Sequence, residues 1–317
     1  MIRRIIGRLN NLRAYPTAWS LLLIGMLLLG YVGLSLVVQA RQPSDGVLLT
    51  EISAQGVWVA TPLLPTPLER GDRLIAIDEQ PVSALGNAAL RGTSPLSPEM
   101  GEASAYRVQR GDARVTLWVR WRPFPWQQLI LVRFAVYVLA GVSMVVGGYL
   151  LLYRPGLAAT RLIFIAAWSM AVVLLLHFQV AVLLTPWMLI TESLLKLLFY
   201  GLLFSATMHL FLIFPVPKTW IASRERWLWG LHLIDPLVVG GAALLFGETP
   251  LAKLNVAWQV TRWINLFMLS SGILSLVHTY ATVKQPAVRG QIRWISWGSL
   301  LGIVPYMFLT GLPEVLW

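Results

Sequence analysis

Seven apolar runs, each near the roughly 20 residues that a helix needs to cross a bilayer core, punctuate this chain. They cover about 17–39, 128–152, 162–184, 188–214, 228–246, 258–281 and 294–312, with polar and basic residues gathered between them. The stretch from 41 to 126 has another pattern. It carries nine acidic and nine basic residues and no spanning run. Near its end Val115, Leu117 and Val119 alternate with Thr116, Trp118 and Arg120, as a half-buried strand requires. Gly71-Asp72 leads from a turn into a second strand that runs to Asp78, and Val82 to Arg91 reads as a short helix. The pattern predicts an α-helical polytopic membrane protein with about seven transmembrane helices and a small α+β domain inserted after the first. Three regions follow: a basic end and first helix over 1–40, the inserted domain over 41–126, and a six-helix bundle over 127–317.

Composition supports a lipid-embedded chain, because 57% of the residues are hydrophobic and only 12% are charged. The net charge of +11 lies in short clusters between apolar runs, so it argues for membrane topology and against a nucleic-acid partner. Arg3, Arg4, Arg8 and Arg13 precede the first run, and further basic residues fall in 153–161, 215–227 and 282–293. With the amino terminus in the cytoplasm, every basic segment is inside, and 41–126, including Ser44 and Ser94, faces outside. The first run is long and lacks a clear small-residue cleavage site, so it is expected to remain as an anchor. Absence of cysteine excludes disulfides and thiolate metal sites.

The run Pro67-Leu68-Glu69-Arg70-Gly71-Asp72-Arg73-Leu74-Ile75-Ala76-Ile77-Asp78-Glu79-Gln80-Pro81-Val82 resembles the most recognisable stretch of bacterial PDZ domains, with Glu79 where a turn glycine is usual. The likeness extends over most of 47–122. It implies that Gln55, Gly56, Val57, Trp58 and Val59 form the glycine-containing loop and strand that bind a peptide carboxylate. Such binding works by strand addition at an exposed sheet edge. The partner implied is an extracytoplasmic peptide or protein segment.

A second resemblance lies in Met208-His209-Leu210-Phe211-Leu212-Ile213-Phe214-Pro215 and in Arg289-Gly290-Gln291-Ile292-Arg293-Trp294-Ile295-Ser296-Trp297-Gly298, followed by Pro305. Both are similar to segments of the membrane sensor region of competence-type bacterial sensor histidine kinases, several of which carry a PDZ-like insert after the first helix. The likeness implies the sensory half of a two-component signalling protein in the bacterial cytoplasmic membrane, acting as a homodimer. It also implies a signal-coupling loop at Arg289, Gln291, Arg293 and Trp294. Seven crossings from a cytoplasmic start leave Trp317 outside, so an eighth crossing and a kinase module are expected beyond it. The bland reading of the same residues is a positive-inside anchor with interfacial tryptophans.

Chemistry of other classes finds little footing. Neither a cofactor nor a metal is expected. A PDZ-containing intramembrane metalloprotease needs two histidines four residues apart with a glutamate between them, and His177, His209, His232 and His278 form no such motif. Ser270-Ser271-Gly272 and His278 share one helix, which does not place a nucleophile and base on facing helices. A transporter-like binding protein would show repeats or paired broken helices, which are not evident. Charged residues within the runs are candidates by default. Glu192 and Lys196 stand four apart, as an interfacial ion pair or as part of a polar cavity. His232 and Asp235 precede Pro236, where Asp235 can satisfy backbone freed by proline or receive a proton.

Overall fold

The computed structural model describes residues 15–49, 57–94, 96–176, 185–216 and 225–293. Among the described residues five helices are long and apolar enough to cross a membrane: α1 Pro16–Arg41; α3 Trp126–Tyr153; α4 Ala158–Leu175; α5 Pro186–Ile213; α7 Pro250–Thr282. A further apolar helix, α6 Leu231–Phe246, has 16 residues and spans roughly 24 Å at 1.5 Å per residue. A 3₁₀ turn over Glu225–Gly230 extends it. Five long helices and one short helix among the described residues therefore stand where six of the seven runs were expected, and the run 294–312 lies outside them. The reading also needs correction at boundaries: α7 starts eight residues before the expected 258, because Thr249 caps it and Pro250 occupies its first position.

Helix α5 is the centre of the bundle. In its most apolar window 56% of residues are buried, against 11% for α3. It packs on α4, α6 and α7, while α1 packs on α4 and α3. The outer helices turn large apolar residues outward, such as Leu131 of α3 and Leu245 of α6. Lipid solvates such a surface, whereas water would penalise it. Small residues set the closest approaches. Gly25 of α1 lies against the indole of Trp168 on α4, and Gly201 of α5 lies against Asp235 of α6.

The inserted domain is an antiparallel sheet with one helix. Its strands are β1 Val47–Leu49, β2 Val57–Pro62, β3 Arg73–Ile77, β4 Gln80–Pro81, β5 Ala103–Arg110 and β6 Ala113–Arg120, in the order β1-β2-β3-β5-β6 with β4 on β3. Ser44 bridges Arg122, which draws the two ends of the sheet together. The helix expected from Val82 is α2, Val82–Leu90, and it buries Val82, Leu85 and Ala89 in the core. The alternation read near the end is visible in β6, where Val119 is buried, Val115 and Leu117 pack partly on the core, and Trp118 is 68% exposed.

The Gly71-Asp72 motif has a structural use. Gly71 takes φ +92°, a conformation that favours glycine, and turns Asp72 into the protein. The Asp72 carboxylate accepts the Glu69 amide at 2.8 Å and two guanidinium bonds from Arg110, at 2.8 and 2.7 Å. Arg110 holds the Asp72 carboxyl below the usual carboxylate range. Asp78 and Glu79 both have positive φ in the tight turn between β3 and β4. Asp78 uses the conformation, since its side chain accepts the Ala105 amide at 2.8 Å. Glu79 is exposed, and a non-glycine residue there carries strain. Glu79→Gly is expected to stabilise the domain by about 1 kcal/mol. A shift of protease cleavage within 57–122 to higher urea would show it, and an unchanged midpoint would contradict it.

Candidate functional site

The inserted domain is seated on the bundle, and that junction organises the site. Helix α2 packs on α5 and α7. Met188 and Leu189 from the first turn of α5, and Leu251 from the first turn of α7, belong to the same buried cluster as Leu85, Tyr106 and Trp121 of the domain. A helix start leaves amide donors without partners inside the helix. Here Pro250 has no donor, Thr249 Oγ1 accepts from Ala252 at 3.2 Å, and Asn87 Oδ1 of α2 accepts from Leu251 at 3.0 Å. Asn87 is held in turn by its own bond to the Ser83 carbonyl, at 2.9 Å. The domain thus caps the longest helix of the bundle.

At the entry from α1, Asp45 is 3% exposed. Its carboxylate accepts the Val47 amide at 3.3 Å and the Tyr106 hydroxyl at 3.2 Å. Burial pushes the Asp45 carboxyl up to about 7, against the lowering effect of those bonds. Burial first, and the neighbouring Asp45 next, raise Tyr106 well above the ordinary tyrosine value. Ser44, expected to face water, is instead 1% exposed because its backbone pairs with Arg122 in both directions. Ser94 is exposed.

Below the junction a cavity of about 550 Å³ opens between α5, α6 and α7. Leu90 of the inserted domain and Pro250 stand at its outer end, and Asp235 lies at its inner end. The distance between those levels is roughly 12 Å, since the lining runs from Ile190 to Leu198 on α5 and from Asp235 to Ala243 on α6, eight residues of rise in each. The walls are almost wholly aliphatic. Two buried polar atoms in this lining, Ser193 Oγ and Asp235 Oδ1, have no hydrogen-bond partner among the described residues.

Two further polar groups join helices across the bundle. Glu192 of α5 is fully buried, and its Oε1 accepts from Ser35 Oγ at 2.5 Å and from Gln39 Nε2 at 3.1 Å, both on α1. Glu192 and Lys196, which the sequence left as an interfacial ion pair or as part of a polar cavity, are both enclosed by protein, with Lys196 7% exposed. Tertiary packing decides this, because α1 covers the face on which they sit. Further along, Ser205 Oγ lies 2.8 Å from His232 Nδ1, and His232 Nε2 lies 3.3 Å from His209 Nδ1. Trp229 packs on both imidazoles. Asp235 sits one turn beyond His232 on α6, within a helix that continues through Pro236.

The sequence-derived peptide site lies partly on β2. Gln55 and Gly56 lie outside the described residues. Val57 and Trp58 pair with Leu74 and Arg73 of β3, and β1 takes the other side of β2 from Val59 onward. Val57 and Val59 are buried, and Trp58 is 46% exposed with Arg73 over its ring. The bulged strand β1 therefore covers that side of β2 only from Val59 to Pro62, and among the described residues no strand pairs with Val57 and Trp58 there. The coupling segment is not a loop. Only 283–285 interrupt the helical backbone, and 286–293 are helical from Pro286 onward. Arg289 donates to the Val283 carbonyl at 2.7 Å and lies over Tyr280, tying the two helical pieces together. Gln291 and Arg293 are exposed, and Trp294 lies outside the described residues.

Ser35, Gln39, Ser193, Ser205 and Asn87 were missed in the reading of sequence alone. Ser35 and Gln39 stand four apart on α1, as do Ser205 and His209 on α5, and that spacing of polar residues within apolar runs was a usable signal. Among the described residues no group of three or more metal-ligating side chains comes together. No family model, curated protein or solved structure matches the chain.

Proposed function

We propose that this chain is the sensory half of a bacterial membrane signalling protein, the input region of a two-component sensor histidine kinase. In this reading it works as a homodimer in the cytoplasmic membrane, with its amino terminus inside and the sheet domain outside. The observation that carries the reading is the cap that Asn87 places on α7. Helix α7 is a single 33-residue element whose other end is tied to the basic helical segment 286–293. A rigid helix held at one end by an outer domain transmits a displacement to the other face of the membrane. Buried polar contacts between α1 and α5 and between α5 and α6 support discrete bundle arrangements, because an unsatisfied polar group in hydrocarbon is costly. The PDZ-like character of the domain and its peptide partner at Gln55 to Val59 belong to this proposal, with strand addition at Val57 and Trp58, beyond the reach of β1.

Orientation is tested first. A Ser94→Cys variant is expected to react with an impermeant thiol reagent on intact cells, and Gln285→Cys to react only after permeabilisation; labelling of Gln285→Cys from outside inverts the topology. Output is tested on membranes holding the full gene product, supplied with ATP. Acid-labile phosphate on histidine is expected, and Asn87→Leu is expected to change its rate severalfold while the chain remains folded in the membrane. Absence of any phosphohistidine removes the kinase assignment, and an unchanged rate in Asn87→Leu removes the coupling route.

A further inference from the structure

The cavity between α5, α6 and α7 contains a chemical contradiction that a ligand would resolve. Its walls are aliphatic, yet its inner end presents a carboxylate that is 3% exposed, with Oδ1 lacking a partner among the described residues. An unpaired acceptor inside hydrocarbon is costly. Proteins retain such groups mainly where something else completes them. Pro236 adds to the demand on this turn, because it removes the amide that would have bonded the His232 carbonyl. The volume of about 550 Å³ lies in the range of small-molecule sites, and its length of roughly 12 Å suits an extended chain.

We infer that this cavity binds an amphiphile consisting of an alkyl chain with a terminal hydrogen-bond donor, a primary amine above all, whose head meets Asp235 and whose chain lies along the aliphatic walls towards Leu90. The assignment deepens the receptor reading and rests on it only for the consequence of binding. The entrance selects the route. Leu194 and Leu198 are 61% and 41% exposed on the lipid-facing side of α5, whereas Lys253 stands at the outer rim. A cation arriving through water meets Lys253, and a lipophilic molecule arriving through the bilayer meets only leucine. A carboxylate head is disfavoured at the inner end, since like charges sharing one buried site repel.

Leu90 ends the same helix whose Asn87 caps α7, so a chain filling the cavity pushes against the inserted domain and α7 together. Ligand binding between these elements is thereby linked to the position of α7.

The test uses the purified full-length chain in lipid nanodiscs and a diazirine-bearing alkylamine as photoaffinity probe, with labelled residues mapped by mass spectrometry. Labelling is expected on α5, α6 and α7 near the cavity, competed best by dodecylamine, less by dodecanol and least by dodecanoate. Asp235→Asn, which keeps the shape, is expected to cost the amine at least about tenfold in competing concentration and to leave the alcohol nearly unchanged. Ala243→Trp, which fills the cavity away from Asp235, is expected to abolish labelling. Equal competition by all three compounds, or amine binding indifferent to Asp235→Asn, overturns the inference and leaves a lipid-filled crevice. If Asp235→Asn does not fold, the order of competition on the native chain decides alone. Binding is read without phosphorylation, so a failed kinase assay and a failed cavity give separate results.

Discussion

Raising the pH from 3.8 to about 7 is expected to weaken the inserted domain by roughly 4 kcal/mol, and Asp45→Asn is expected to abolish most of that dependence. The sign follows from proton counting. The folded carboxyl titrates near 7 and the unfolded one near 3.8, so between those values the folded state holds a proton that the unfolded state has released. Stability is then full below the unfolded value and falls as pH rises through the folded value. The Tyr106 hydroxyl and Val47 amide face the carboxyl directly, and Asp78 adds negative charge near Tyr106. Asp72 acts in the opposite sense but in a lower window: its depressed value makes its contribution disappear only as the medium becomes strongly acidic. Protection factors of the amides of Val47 and Trp121, which divide out the base-catalysed rise of intrinsic exchange, compared at about pH 5 and about pH 8 in the native chain and in Asp45→Asn, measure the effect. Protection that is unchanged or rises on going to the higher pH would contradict it. Since Asp45 joins α1 to the sheet, such a dependence would make the domain's seating sensitive to the medium around it.

Gly201→Leu is expected to destabilise the bundle by about 3 kcal/mol, the upper part of the range for overpacking a filled interior. A side chain at Gly201 would meet the Asp235 carboxylate before any other atom. Turning the carboxylate into the cavity does not relieve the clash, because the Asp235 Cβ itself lies 2.9 Å from an added Cβ, so α6 must shift away from α5. Thermal aggregation followed by size-exclusion chromatography in detergent should show a lower midpoint for Gly201→Leu and a smaller drop for Gly201→Ala. Asp235→Ala should rescue part of the Gly201→Ala loss, since contacting residues are not additive. If the two single losses simply add, the close contact between α5 and α6 is not what limits packing there.

Glu192 shows how far a one-dimensional reading extends. Spacing on a helix says that Glu192 and Lys196 share a face, and it suggests a local pair. It does not say that Ser35 and Gln39, more than 150 residues earlier, supply the hydrogen bonds, which depends on α1 packing across α4 to reach α5. Val57 to Val59 teach the same lesson in the sheet. The strand was legible, whereas its pairing was not: the bulged register of β1 on β2, which covers Val59 to Pro62, is one that residue pattern alone leaves open. Asn87 looked like an ordinary helix residue until α7 was placed above it.

What the amino-acid order determined by itself was the division into apolar helices and a separate α+β insert, together with the strands around Gly71-Asp72 and along β6. Those follow from local quantities: the length of an apolar run against the thickness of a bilayer, and the alternation of side chains along an extended backbone. Tertiary structure alone decided that the insert caps α7, that Glu192 is interior, that β1 pairs with β2 from Val59 onward, and that Asp235 ends a cavity. Each of these depends on which distant helix or strand approaches, and in an apolar bundle that choice is made by small-residue contacts and by the need to satisfy buried polar atoms rather than by hydrophobic pattern.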